Sequence, residues 1–202
     1  MEFSFSQEKI SMEKIMSDLD RFVFNFCNLL DKQKIKYVIV SGYVAIVFGR
    51  SRNTEDIDIL VEKISFDKFQ KLWDTLKHNY DCINAGAAKE AYFDYLLKKT
   101  AVRFAEKGKF IPNFEFKFTK NADDKYSINN AVTLQINKDT IRISPLEMQV
   151  GYKLFLGSSK DIEDARFLFK LFKDRLDKEQ LKGWMRHFNI PPKIVKKLGA
   201  DL

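Results

Sequence analysis

The stretch VSGYVAIVFGRSRNTEDIDILV, from Val40 to Val61, decides how this chain is read. It begins at the end of a short β-branched run, Tyr37 to Val40, and turns at the small pair Ser41-Gly42. Tyr43 to Phe48 is apolar and short, which suits a helix laid on a sheet, and Gly49 to Asn53 breaks it. Asp56 to Val61 is then a second strand. Alternate residues of a strand share a face, so Asp56 and Asp58 point one way while Ile57 and Ile59 enter the core. Two carboxylates on one face repel each other unless a cation lies between them. A hard divalent ion with oxygen ligands, Mg²⁺ (or Mn²⁺), answers that need, using one or two carboxylates together with substrate phosphates. Gly42 lets the backbone approach a triphosphate closely, and Ser41 offers a hydroxyl beside it. The N–H groups opening the Tyr43 helix would add further donors. An Asp-x-Asp or a Ser-Gly alone would mean little. In this order and strand context they describe phosphoryl-transfer machinery.

Outward from this segment, the pattern divides the chain. On the N-terminal side, Met12 to Lys32 carries Ile15, Leu19, Phe22, Val23, Phe26 and Leu30 at steps of three and four, which predicts an amphipathic helix. On the C-terminal side, Phe66 to His78 reads as another. Tyr92 to Phe104 is mixed, and the part from Ala85 to Gly108 could insert another element between the strands of Asp58 and Glu115. Asn113 to Phe118 alternates after Pro112, with Glu115 and Lys117 on one face and Phe114, Phe116 and Phe118 on the other. Thr133–Ile136 and Thr140–Ile143 form strands about a turn at Asn137–Asp139. From Pro145 the spacing is helical in Leu146–Leu156, Asp161–Phe172 and Glu179–Phe188. The expectation is an α+β fold, a mixed sheet flanked by helices, in a core of residues 1–144. A C-terminal helical segment, 145–202, would pack on it.

With these residues in view, the segment resembles the signature of the polymerase β-like nucleotidyltransferases. More narrowly, it is similar to the minimal nucleotidyltransferases that include abortive-infection toxins of type IV toxin–antitoxin systems. The matching positions are Ser41, Gly42, Gly49, Arg52, Thr54, Asp56 and Asp58, with Ser41 standing where a Gly is usual. The resemblance implies a third carboxylate on a neighbouring strand, and Glu115 is the candidate, one methylene longer than the usual Asp. The plain alternative is a strand with a charged solvent face. Lys153 in EMQVGYK and the run Lys160, Asp161, Asp164 resemble two further motifs of the toxin-type group. Ser159 could cap the helix there, with Asp161 and Glu163 suiting its dipole, so this run is as easily structural as functional. Lys153 has no such local explanation and reads as a phosphate contact.

What the resemblance implies is a transferase that moves a nucleoside monophosphate from an NTP, such as ATP, to an acceptor and releases pyrophosphate. Asp56, Asp58 and Glu115 would hold two Mg²⁺ ions, with Glu115 as ligand or base. Ser41, Gly42, Arg52, Thr54, Lys117, Lys160, Asp161 and Asp164 would contact the nucleotide, and Lys153 would neutralise charge as pyrophosphate leaves. Arg50 and Arg103 are further candidates to face nucleotide or acceptor. The acceptor, whether RNA, protein or a small molecule, is open, as are an antitoxin or homo-oligomer partner. The alternative is a non-catalytic binding or regulatory module that keeps the fold.

Bulk properties bound these readings. The 202 residues, with 45% hydrophobic and 31% charged, suit a globular protein, and 19 Phe supply large core pieces. Phe22, Phe24 and Phe26 belong to that core and not to a base-stacking platform. Two Cys without ligand spacing and two His argue against a zinc site. No basic-then-apolar leader and no run of roughly 20 apolar residues is visible, so a cytoplasmic setting without membrane is expected. The net charge of +7 suits an anionic partner or a soluble surface equally.

Overall fold

The computed structural model describes residues 3–6 and 9–199. Among them, nine strands form a single mixed sheet. The first two, β1 (Phe3–Ser6) and β2 (Lys9–Met12), make an antiparallel pair. Then follow α1 (Asp18–Lys32), β3 (Tyr37–Ile39), α2 (Gly42–Val47), β4 (Asp56–Val61), α3 (Phe66–Leu76) and β5 (Tyr80–Cys82). A short helix α4 (Ala88–Glu90) runs into a π-helical turn, Ala91–Leu96. The chain continues through β6 (Val102–Glu106), β7 (Asn113–Phe118), α5 (Ala122–Asn129), β8 (Val132–Ile136) and β9 (Asp139–Ile143). It ends in α6 (Leu146–Leu156), α7 (Ser159–Phe172), α8 (Lys178–His187) and α9 (Pro192–Val195), with a 3₁₀ turn at Lys196–Leu198.

Across the sheet the order is β1-β2-β8-β9-β3-β4-β7-β6-β5. In the middle, β4 pairs antiparallel with β3 and parallel with β7, while β6 lies on the far side of β7. The region between Ala85 and Gly108 therefore inserts nothing between β4 and β7. One face of these strands is fully apolar: Ile57, Ile59, Val61, Phe114 and Phe116 are inaccessible to solvent. Helix α1 covers it, with Phe22 and Phe26 stacked on Phe114 at ring separations of 4.6 and 4.0 Å. Phe69 of α3 reaches Phe116 on the same side. This aromatic layer uses the large Phe content, and each buried ring contributes roughly 2–3 kcal/mol of hydrophobic stabilisation. Phe24 is buried as well.

The opposite face is less fully covered. Val38, Leu60 and Ile128 form a small separate apolar cluster there, where α5 lies over the sheet. Beyond that cluster the face carries Asp56, Asp58, Glu115 and Lys117, so burying one side of each strand leaves the charged residues on the open side.

Three boundaries differ from expectation. The helix expected from Met12 begins at Asp18, behind a capping box in which Ser17 and Asp20 satisfy each other's backbone N–H. Ile15, assigned to its apolar stripe, is 95% exposed. The cap of α7 is Ser158, whose hydroxyl accepts from the Asp161 N–H, and not Ser159. The hairpin of β8 and β9 is present with its turn as expected. Helices α6 and α7 contribute Val150, Leu154, Leu168 and Phe172 to the same core as the sheet.

Candidate active site

The end of β3 is hydrogen-bonded to the start of β4 through the Val40 N–H and the Asp58 carbonyl, 3.0 Å. This bond sets the turn at Ser41-Gly42 beside the carboxylates. Ser41 has φ 64° and ψ −135°, a left-handed conformation that glycine adopts more easily. Gln149 of α6 holds it there. The Gln149 carboxamide donates to the Ser41 carbonyl at 2.7 Å and accepts from the Ser41 N–H at 3.3 Å and from the Ser144 hydroxyl at 2.8 Å. A residue of α6 thus fixes the strained turn beside the sheet. Gly42 is buried, and a Cβ there would stand 3.0 Å from the Arg52 guanidinium. The glycine is what lets Arg52 lie against the turn.

Asp58 and Glu115 are register partners on the parallel strands β4 and β7. Asp56, two residues earlier, is exposed, and the Thr54 hydroxyl donates to its carbonyl at 2.9 Å. The Lys117 ammonium lies between the other two carboxylates, 2.8 Å from Asp58 Oδ1 and 2.6 Å from Glu115 Oε2. Arg103, the register partner of Glu115 on β6, donates to its other oxygen. Partial burial raises the Glu115 pKa, but the hydrogen bonds and charges of Lys117 and Arg103 outweigh it and hold it below the ordinary value. Burial likewise works against the Lys117 charge, and Asp58 and Glu115 more than restore it. As a donor set, Asp56 and Asp58 are hard oxygens suited to a divalent ion that brings phosphate ligands with it. Among the described residues, no group of three or more His, Cys, Asp or Glu side chains is gathered to hold an ion unaided.

A cleft of about 310 Å³ opens beside Asp58 and Lys117, bounded by Ser41 and by residues of α5 and α6 including Gln149 and Tyr152. Asp123, Asp124 and Ser127 of α5 line it too. Ser127 is 1% exposed, and among the described residues its hydroxyl has no partner. A buried polar atom left unpaired in a cleft is open capacity for a polar ligand. Ser41, Asp58 and Lys117 were read from the sequence, but the cleft residues of α5 and α6 did not stand out there. Gln149 alone had a signal: it is four residues before Lys153, on the same face of α6.

Lys153 is placed differently from expectation. It is 1% exposed, and its ammonium sits 2.6 Å from Asp161 and 3.0 Å from Asp164 instead of standing free for a phosphate. Asp164 is wholly buried and also receives Arg52 at 2.6 Å, with Arg50 Nε 3.1 Å away. Glu163 takes a second Arg50 nitrogen at 2.5 Å. Three cations and three anions therefore balance in one cluster. Asp161 is pushed up by burial but drawn below its ordinary range by Lys153 and the Ser158 hydroxyl. The cluster ties α6 and α7 to the loop between α2 and β4, and so positions Arg52 over Gly42. Lys160 is exposed and lies outside this cluster of ion pairs.

No protein-family model matches the chain, and no curated protein is similar to it in sequence. Solved structures are similar in fold. An antigenic nucleotidyltransferase-like protein from Paracoccidioides brasiliensis superimposes with a TM-score of 0.59 at 16% identity, over 92% of this chain and 94% of that one. The antibiotic-resistance factor ANT(2'')-Ia gives 0.54 at 13% identity, over 86% and 93%. The same factor in complex with adenylyl-2''-tobramycin gives 0.52 at 14% identity, over 86% and 98%. The chain thus has a nucleotidyltransferase-like fold.

Proposed function

We propose that this chain is a divalent-metal-dependent nucleotidyltransferase that transfers a nucleoside monophosphate from an NTP to an acceptor and releases pyrophosphate. The observation that carries this reading is the convergence, on one open face, of the Ser41-Gly42 turn with Asp56, Asp58 and a charged neighbouring strand. In this reading Asp56 and Asp58 hold Mg²⁺ (or Mn²⁺), which when bound neutralises phosphate charge and polarises the reacting phosphorus. Ser41, Gly42 and the first N–H groups of α2 receive the terminal phosphates. Arg52, held against Gly42 by Asp164, adds a fixed positive charge at the same place, which costs no reorganisation when the charge on the leaving group grows. Lys117 contributes a second charge from the strand side. Tyr152 and the unpaired Ser127 hydroxyl offer an aromatic face and a polar contact to the nucleoside in the cleft.

Lys153, Asp161 and Asp164 act in this account through the Arg52 loop and not by touching the nucleotide. Glu115 orients Lys117. An RNA, protein or small-molecule acceptor is compatible with the open cleft, and the toxin-like resemblance favours RNA or protein. The test is incubation with each α-labelled NTP, Mg²⁺ and total cellular RNA, protein or metabolites. Label should enter one of these pools; label in none, with intact protein, would favour the non-catalytic module.

A further inference from the structure

Lys117 is on β7 two residues after Glu115, so strand alternation puts both on the open face. Its ammonium lies 2.8 Å from Asp58 and 2.6 Å from Glu115, the two carboxylates that face each other across β4 and β7. A divalent ion shared by those same two groups would need its oxygens at roughly 2.0–2.1 Å. Both Glu115 oxygens are engaged, Oε2 by Lys117 and Oε1 by Arg103, whereas Asp58 meets Lys117 through Oδ1 and keeps Oδ2, so the ammonium excludes an ion shared with Glu115 but not one on Asp56 and Asp58. The Lys117 side chain is 23% exposed and is anchored at two points. Glu115 is further committed to Arg103. Asp56 is different: it is exposed, and among the described residues its side chain meets only the Thr54 hydroxyl, at 3.4 Å. Charge balance agrees. Asp56, Asp58 and Glu115 carry three negative charges, and Lys117 and Arg103 return two. The remainder suits one divalent ion accompanied by a nucleotide.

Resting on the metal-dependent reading above, we propose that the Lys117 ammonium permanently takes the place of a second divalent ion. The chain then binds a single divalent cation with its nucleotide, on Asp56 and Asp58, and Glu115 is the anchor of the lysine and not a metal ligand. Removing the ammonium should free Asp58 and leave Glu115 held only by Arg103, a site that accepts a second ion.

The experiment is Mn²⁺ titration of the full chain with a non-hydrolysable α,β-methylene ATP, following free Mn²⁺ by electron paramagnetic resonance. The wild type should take up one Mn²⁺ per chain and Lys117→Met two. Two ions in the wild type, or one in a folded Lys117→Met, would overturn the inference while leaving the transferase reading intact. No Mn²⁺ in either protein would overturn both. Should Lys117→Met fail to fold, Glu115→Gln decides, because it removes the charge while keeping the shape. Unchanged affinity for the single Mn²⁺ supports the proposal, and a clear loss shows that Glu115 is a ligand.

Discussion

The carboxamide of Gln149 grips both backbone groups of Ser41, across 108 residues of sequence, at 2.7 and 3.3 Å. It thereby holds a non-glycine residue at φ 64° in the turn that faces the carboxylates. Gln149→Leu would leave the Ser41 N–H and carbonyl and the Ser144 hydroxyl with unmet hydrogen bonds in a half-buried place. The expected cost is roughly 2–3 kcal/mol, read by urea unfolding. Ser41→Gly relieves the strained φ and is expected to stabilise by up to about 1 kcal/mol. Equal stability of all three proteins would show that the grip is incidental.

The carboxylates of β4 should separate in their effect on stability. Asp56→Ala removes an exposed group and should leave the melting temperature without Mg²⁺ unchanged, while abolishing transfer. Asp58→Ala also abolishes transfer, but it frees Lys117 from one of its two anchors and should lower the melting temperature slightly. Retained transfer in either variant would remove that residue from the site.

Lys153→Met keeps the aliphatic stem but leaves Asp161 and Asp164 short of a cation in a buried place. Breaking a buried pair in this way costs roughly 3–5 kcal/mol, measured as a fall in unfolding free energy that salt does not restore. A variant as stable as wild type, with weakened NTP affinity, would return Lys153 to the phosphates.

Acid stability should report Asp20, which is 1% exposed. Burial raises its pKa, but the Lys14 ammonium at 2.9 Å, the Ser17 cap and the Tyr43 hydroxyl at 2.8 Å together bring it below its ordinary 3.8. Because the folded pKa is the lower one, this contribution is complete above the unfolded value and disappears as pH falls through the folded value. Asp20→Asn should therefore be less stable at neutral pH and should flatten the acid limb below about pH 4. Parallel limbs for the two proteins would contradict this.

How much of this was legible follows from the range of the forces involved. The strand DIDILV could be read to the residue, because alternation inside six residues decides which face is buried. Alternation also gave the face of Glu115, but the pairing that brings it opposite Asp58 is a contact 57 residues away that local pattern does not specify. The ion pairs of Lys153 were hidden for a similar reason: a lone lysine on a helix reads as free until its partners on the next helix are placed. The strand at Lys9–Met12 is too short to show a period, and the helical spacing of α1 ran on into it. Helix α5 hardly separates apolar from polar faces, so the wall of the cleft it provides had no signature. Ser158 and Ser159 are neighbours of equal capping ability, and sequence could not choose between them.

The central claim is that this face transfers a nucleoside monophosphate, and the label's position on the NTP tests it most directly. Wild type and Asp58→Ala are incubated with acceptor pools, Mg²⁺, and ATP, GTP, CTP or UTP labelled at either the α- or the γ-phosphate. The account predicts that α-label becomes covalently bound to acceptor, that γ-label leaves as pyrophosphate, and that Asp58→Ala does neither. Transfer of γ-label to the acceptor, or α-label transfer undiminished in Asp58→Ala, would contradict it.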